Sequence, residues 1–143
     1  MRFLAIQTDP VWHDVVANRQ RISRRIDELD AEPGDYLVLP EMCETAWTTD
    51  IAALSLAENS VDWFSAIARA RGVWLQAGFG ERRGGGKFSN SAMVIGPDGT
   101  VKSIYRKNFL FPSERDCFEA GTELCVIDIG VATVSYTHLR AHE

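Results

Sequence analysis

Long apolar runs, cysteine and proline are all scarce in this chain. Among 143 residues there are three cysteines and five prolines, and no stretch approaches the roughly 18 consecutive apolar residues that a membrane-spanning helix needs. Cys43, Cys117 and Cys125 are odd in number and lack CxxC spacing, which suggests neither a disulfide framework nor a zinc ribbon. An excess of positive charge is missing too. Fifteen Lys and Arg stand against 20 Asp and Glu, for a formal charge of −5, so a nucleic-acid partner is not expected. The one basic cluster, Arg19, Arg21, Arg24 and Arg25, reads as the solvated face of a helix. No internal repeat is present, and only four apolar residues separate Met1-Arg2 from Gln7, too few for a signal-peptide core. A cytoplasmic location is the default expectation. What remains, 45% hydrophobic and 24% charged residues, is the balance of one ordinary globular domain.

The apolar pattern is α/β at first and a meander later. Phe3 to Ile6 reads as a buried strand broken by Asp9-Pro10. Asp14 can cap a helix whose inward stripe is Val15, Ile22, Ile26 and Leu29, and Pro33-Gly34 stops it. Tyr36 to Leu39 is a second strand, and the strand-helix-strand order favours parallel pairing. Ser60 is the expected cap of a second helix with Trp63, Phe64, Ile67 and Ala68 inward and Gly72 at its end. Further strands are expected at 73–77, 91–95, 101–105 and 126–129, with a flexible turn at Arg82 to Lys87 and a tight turn at Pro97-Asp98-Gly99.

Two strand ends carry chemistry. Glu41 follows Leu37-Val38-Leu39-Pro40 directly, and ligand crevices of open α/β sheets lie beyond the carboxyl ends of strands. Read alone, Glu41 could equally be a solvated loop carboxylate. Tyr105-Arg106-Lys107 likewise ends a strand and is followed by Asn108-Phe109-Leu110-Phe111 and Glu114. An ammonium beside a carboxylate in a dry cleft can hold a developing oxyanion while the carboxylate moves protons. Taken alone, Lys107 is more often a surface lysine.

In order and spacing, these pieces resemble the nitrilase, or carbon-nitrogen hydrolase, superfamily. The resemblance runs from Phe3 to about Gly130: an opening strand ending in Gln7, LPEM at 39–42, PDGT at 97–100, YRKNFLF at 105–111, and Glu114 seven residues before Gly121. It implies an α/β fold that forms the N-terminal half of an α-β-β-α sandwich, and a Glu-Lys-Cys triad with a second Glu in support. It further implies that Glu41 is the general base, Lys107 the residue that stabilises the tetrahedral intermediate, and Glu114 the supporting carboxylate. The implied reaction is thioester-mediated cleavage of a small amide, ureido compound or nitrile, with no cofactor and no metal. A homo-oligomer is implied for the full-length form, and neither nucleic acid nor membrane is an expected partner.

The nucleophile does not follow where the family places it. After Val131 to Val134 the chain reads Ser135-Tyr136-Thr137-His138-Leu139-Arg140-Ala141-His142-Glu143. Ser135 falls near the nucleophile position, but the strand arrives too soon after Gly130 and Thr137 replaces an acidic residue. The segment 134–143 resembles the in-frame translation of a transposase-type sequencing adapter. The expected organisation is therefore residues 1–133 from a hydrolase domain and 134–143 as a non-native tail, with the fragment inactive as written. The three cysteines read as packed small hydrophobes. His138 and His142 have zinc-ligand spacing without the metalloprotease Glu, since Leu139 stands there, and Gly84-Gly85-Gly86-Lys87 fails as a phosphate loop at Glu81 and Phe88. The alternative from another class is a non-catalytic α/β module that binds a polar ligand between Glu41 and Lys107.

Overall fold

The computed structural model describes residues 1–136. Strand β1 (Phe3–Ala5), helix α1 (Val15–Glu28), β2 (Tyr36–Val38), α2 (Ile51–Leu56), α3 (Ser60–Arg71) and β3 (Trp74–Arg82) are followed by β4 (Phe88–Ile95), β5 (Val101–Arg106), β6 (Cys125–Asp128) and β7 (Thr133–Tyr136). Five strands form one sheet in the order β1-β2-β3-β4-β5, and β6 and β7 pair separately. The first three strands are parallel, with Leu4 beside Leu37 and Leu37 beside Leu75. The β3–β4 and β4–β5 pairs are antiparallel.

The period-2 alternation of the strands sorts the sheet into two faces. Leu37, Leu75, Ala77, Phe79, Met93 and Ile95 point toward Ile22 and Ile26 of α1 and Phe64 and Ala68 of α3, forming the main core. Each fully buried Leu, Ile, Phe or Met among them contributes about 1.5–3 kcal/mol. On the opposite face Tyr36 and Val94 pack against Ile127 and Ile129, so the β6–β7 pair covers that side. A helical layer, a sheet and a strand pair on the far face match the expected α/β half-sandwich.

The caps follow the chemistry of their residues. Asp14 accepts a hydrogen bond from the Ala17 amide at 2.9 Å, as expected for α1. Gly72 ends α3 with φ +65°, the left-handed conformation that costs glycine least. Asn59 rather than Ser60 is the N-cap of α3, and Ser60 lies inside the helix with its hydroxyl donating to the Ala57 carbonyl at 2.7 Å. The sequence reading has no counterpart for α2, a six-residue helix too short to show a period; Asp50 caps it by accepting from the Ala52 amide at 2.8 Å. Strand β3 continues to Arg82, and β4 begins at Phe88 rather than Ser91, because the 84–86 glycine turn closes a long hairpin whose register runs from Leu75–Ile95 to Arg82–Phe88. The arginine cluster is not uniformly solvated. Arg19 reaches across to buried Glu44 at 2.6 Å and lies over the Trp63 ring.

The boundary expected at 133/134 falls within β7. His138 and His142 lie outside the described residues, and of Ser135 only the backbone is described. No described helix is long and apolar enough to cross a membrane.

Candidate functional site

Glu41 leaves the end of β2 in a tight turn that rests on β3. The Leu39 amide donates to the Gln76 carbonyl at 2.8 Å, and the Cys43 amide donates to the Gly78 carbonyl at 3.2 Å. Gly78 makes this approach possible: a Cβ there would stand 2.6 Å from Glu41 Cα and 2.7 Å from the Pro40 carbonyl oxygen. Met42, next in the chain, has φ +44°, a left-handed backbone for a bulky residue that costs of order 1–3 kcal/mol. Its fully buried side chain packs with Leu54, Phe88, Cys117 and Phe118, which holds the turn in that shape.

Lys107 follows β5 and keeps the ladder direction, its amide donating to the Asn90 carbonyl at 2.8 Å. Its side chain is 2% exposed, and the ammonium lies 3.5 Å from Glu41 Oε1 and 3.0 Å from Glu114 Oε2. It also sits 5.1 Å from the centre of the Phe111 ring, a favourable cation–π contact. Glu114 is placed by a single turn at Pro112–Glu114, in which its Oε2 reaches back to accept from the Phe111 amide at 2.8 Å. The structure therefore brings Glu41, Lys107 and Glu114 into one cluster from positions 66 and 7 residues apart in sequence.

The two carboxylates differ in surroundings. Glu114 is wholly buried, and its Oε1 accepts from Lys107 Nζ at 3.1 Å, Asn90 Nδ2 at 3.1 Å and Trp47 Nε1 at 3.2 Å. Burial pushes its carboxyl up, yet the Phe111 amide, Lys107 and Asn90 together hold it below the ordinary carboxylate value. Glu41 is 31% exposed in its side chain and accepts from Asn90 Nδ2 beside the Lys107 ion pair. One carboxylate is saturated with donors and the other has an open edge.

Asn90, Trp47, Phe111 and Gly78 are site residues that sequence reasoning misses. An asparagine leading into the apolar run Ala92 to Ile95 is the available signal for Asn90, but the expected strand begins one residue later. The three cysteines stay out of the cluster. Cys43 Sγ donates to the Gly78 carbonyl at 3.4 Å, Cys117 Sγ donates to the Glu114 carbonyl at 3.5 Å, and Cys125 Sγ meets the Ser103 hydroxyl. Burial raises the Cys43 and Cys117 thiols, the opposite of what an activated nucleophile needs. No group of three or more metal-ligating side chains exists among the described residues.

Comparison with known proteins bears on this cluster. The sequence profile of the carbon-nitrogen hydrolase family matches residues 5–138. The "Hydrolase in pqqF 5'region" of Pseudomonas protegens is 33% identical over 129 residues, covering 86% of this chain and 45% of that protein. Omega-amidase YafV of Escherichia coli is 27% identical over 131 residues, covering 90% of this chain and 50% of its own length. Among solved structures, the CN-hydrolase superfamily protein XC1258 from Xanthomonas campestris superposes with a TM-score of 0.81 over 94% of this chain and 51% of its own; at 21% identity this likeness concerns the fold. The chain spans about half the length of the curated relatives it matches.

Proposed function

Since this chain belongs to the carbon-nitrogen hydrolase family, we propose that Glu41, Lys107 and Glu114 are the acid–base and charge-stabilising parts of a site that cleaves the C–N bond of a small amide, ureido compound or nitrile. The observation that carries the reading is the Lys107 ammonium, 2% exposed and held between two carboxylates, one with an open edge. A buried ammonium so fixed is a preorganised charge for an oxygen that becomes negative during acyl transfer.

The roles follow from the surroundings. Glu41 has capacity to accept a proton, so it takes one from the attacking thiol. The sulfur bonds to the substrate carbon, and for an amide the carbonyl π pair moves onto oxygen beside Lys107. The C–N bond breaks as Glu41 returns the proton to nitrogen, and a thioester remains. Water then attacks the thioester, Glu41 takes its proton, and as the C–S bond breaks Glu41 gives that proton to the departing sulfur, releasing the acid and restoring both the thiol and the carboxylate. Glu114, already saturated with donors, stays ionised and orients Lys107 without exchanging protons.

The cysteine that performs the attack lies outside residues 1–133 on this reading, and 134–143 is a non-native tail. Support comes from the three cysteine sulfurs, each bonded away from Glu41. The test is to sequence the locus from independent DNA and express the reading frame continued beyond Thr133. Ammonia release from small amides by that product, lost on Glu41→Gln or Lys107→Ala while the 143-residue chain releases none, supports the proposal. Turnover by the 143-residue chain itself, or a natural gene that encodes SYTHLRAHE and stops, overturns the nucleophile assignment; in the second case the ligand-binding alternative takes its place.

A further inference from the structure

Among the described residues, Asn90 is the one that touches every charged member of the cluster. Its Nδ2 donates to Glu41 Oε1 and, at 3.1 Å, to Glu114 Oε1, while its carbonyl accepts from the Lys107 amide at 2.8 Å. It is fully buried in β4, opposite Gly80 of β3, and two positions along that face Gly78 lies beneath the Glu41 turn. Gly78 leaves the volume into which the Glu41 turn fits, and a Cβ at Gly80 would stand 2.7 Å from the Leu54 side chain.

We propose that Asn90 is a positioning residue of this site, whose neutral amide spaces and orients Glu41 and Glu114 about the Lys107 ammonium; this rests on the reading of Glu41 as the proton acceptor.

Charge explains why a neutral donor suits the place. Two carboxylates around one ammonium leave a net charge of −1, and like charges at short range drive one carboxylate to take up a proton. A second cation between them would relieve this by neutralising the site, and would also hold Glu41 so firmly ionised that it became a poor base. An amide with two N–H donors serves both carboxylates and adds no charge. Its orientation is decided by the donor end alone, because Asn90 Oδ1 has no hydrogen-bond partner among the described residues. The flipped amide would set an oxygen against two carboxylates. The remaining neighbours facing the cluster, Trp47 and Phe111, bring a single indole donor and a backbone amide, and both serve Glu114. Asn90 is therefore the neutral donor on which the aim of Glu41 depends.

The test is carboxyl and side-chain amide NMR on the isotope-labelled 143-residue chain, titrated from about pH 8 to about pH 3. In the unsubstituted chain the two Asn90 Nδ2 protons should respond separately: Glu41→Gln shifts one, Glu114→Gln shifts the other, and both move as the carboxyls titrate. In Asn90→Leu, similar in volume and without a donor, the carboxyl titration of the pair should move to higher pH by about one unit, and in Asn90→Asp by more. Asn90 protons that ignore both pH and Glu41→Gln overturn the proposal without any Asn90 variant having to fold. An unchanged carboxyl titration in a folded Asn90→Leu chain does the same. Neither readout needs turnover, so loss of the hydrolase reading and loss of the Asn90 role are separate results.

Discussion

Two ion clusters stand on opposite faces of the same three strands, separated by single residues. Arg106 and Ser91 turn to the helix-covered face, where Glu81 accepts from Arg106 Nε and Nη2, both at 2.7 Å, from Ser91 Oγ at 2.9 Å and from Arg83 Nη1 at 3.1 Å. Their neighbours Lys107 and Asn90 turn to the other face and meet Glu41 and Glu114. The first cluster matches one carboxylate to two guanidinium groups, both about one-third exposed, and Glu81 is held below its ordinary value by Arg106 and Ser91 despite the upward push of burial. The second sets two carboxylates against one buried ammonium. An arrangement that surrounds its carboxylate with cations ties strands together, whereas one that leaves a carboxylate edge open can exchange a proton. The difference between a structural and a chemical cluster here is the charge count and the depth of the cation.

The comparison can be broken most forcefully at Lys107. Lys107→Met leaves Glu41 and Glu114 without their cation, one of them wholly buried, and should cost about 3–5 kcal/mol in urea unfolding. A loss under about 1 kcal/mol would mean that the cluster is as replaceable as a surface pair. Gly78→Ala should come next, at about 1–3 kcal/mol, because the added methyl meets backbone atoms of Pro40 and Glu41 that cannot swing aside. Denaturation with intrinsic fluorescence reads the loss, since Trp47 bonds directly to Glu114.

A smaller, pH-dependent effect distinguishes the Glu114 carboxyl. Its folded value lies below the unfolded one, so the stability it contributes is present above the unfolded value and is lost as pH falls through the folded value. Melting temperature should fall between about pH 5 and about pH 3, and Glu114→Gln should make that slope shallower. An unchanged slope would show that Glu114 titrates as an ordinary carboxyl. The smallest effect is expected on the opposite face. Glu81→Gln should cost about 1 kcal/mol, with partly exposed arginines free to turn to water, and the loss should shrink in high salt, unlike that of Lys107→Met. Equal losses and equal salt responses would erase the distinction between the two clusters.

Much of this architecture is legible in the sequence. Asp14 as a helix cap, Gly72 as a helix end and the turn at Pro97-Asp98-Gly99 depend on interactions within a few residues, and the strand-helix-strand order favours the parallel pairing of β1 with β2. Where the structure departs from these motifs, the cause is again local. The α2 helix spans under two turns and shows no period, Ser60 looks like a cap although Asn59 supplies the left-handed entry, and the glycine turn at 84–86 conceals the length of the hairpin it closes. Arg19 looked solvated because nothing nearby in sequence announces Glu44, 25 residues away and buried.

By itself the sequence determined the α/β order, the elements that deliver Glu41, Lys107 and Glu114, and the family they resemble, since each is encoded in short motifs and their spacing. Only the tertiary structure decided which carboxylate is open, which is saturated, and what orders them. Asn90 reaches Glu41 across 49 residues, Trp47 reaches Glu114 across 67, and Gly78 makes room for a turn carrying a residue 37 positions earlier. Periodicity reports which face a residue takes on its own element. Contacts at such separations depend instead on strand register and on which strands become neighbours, and only the folded sheet sets both.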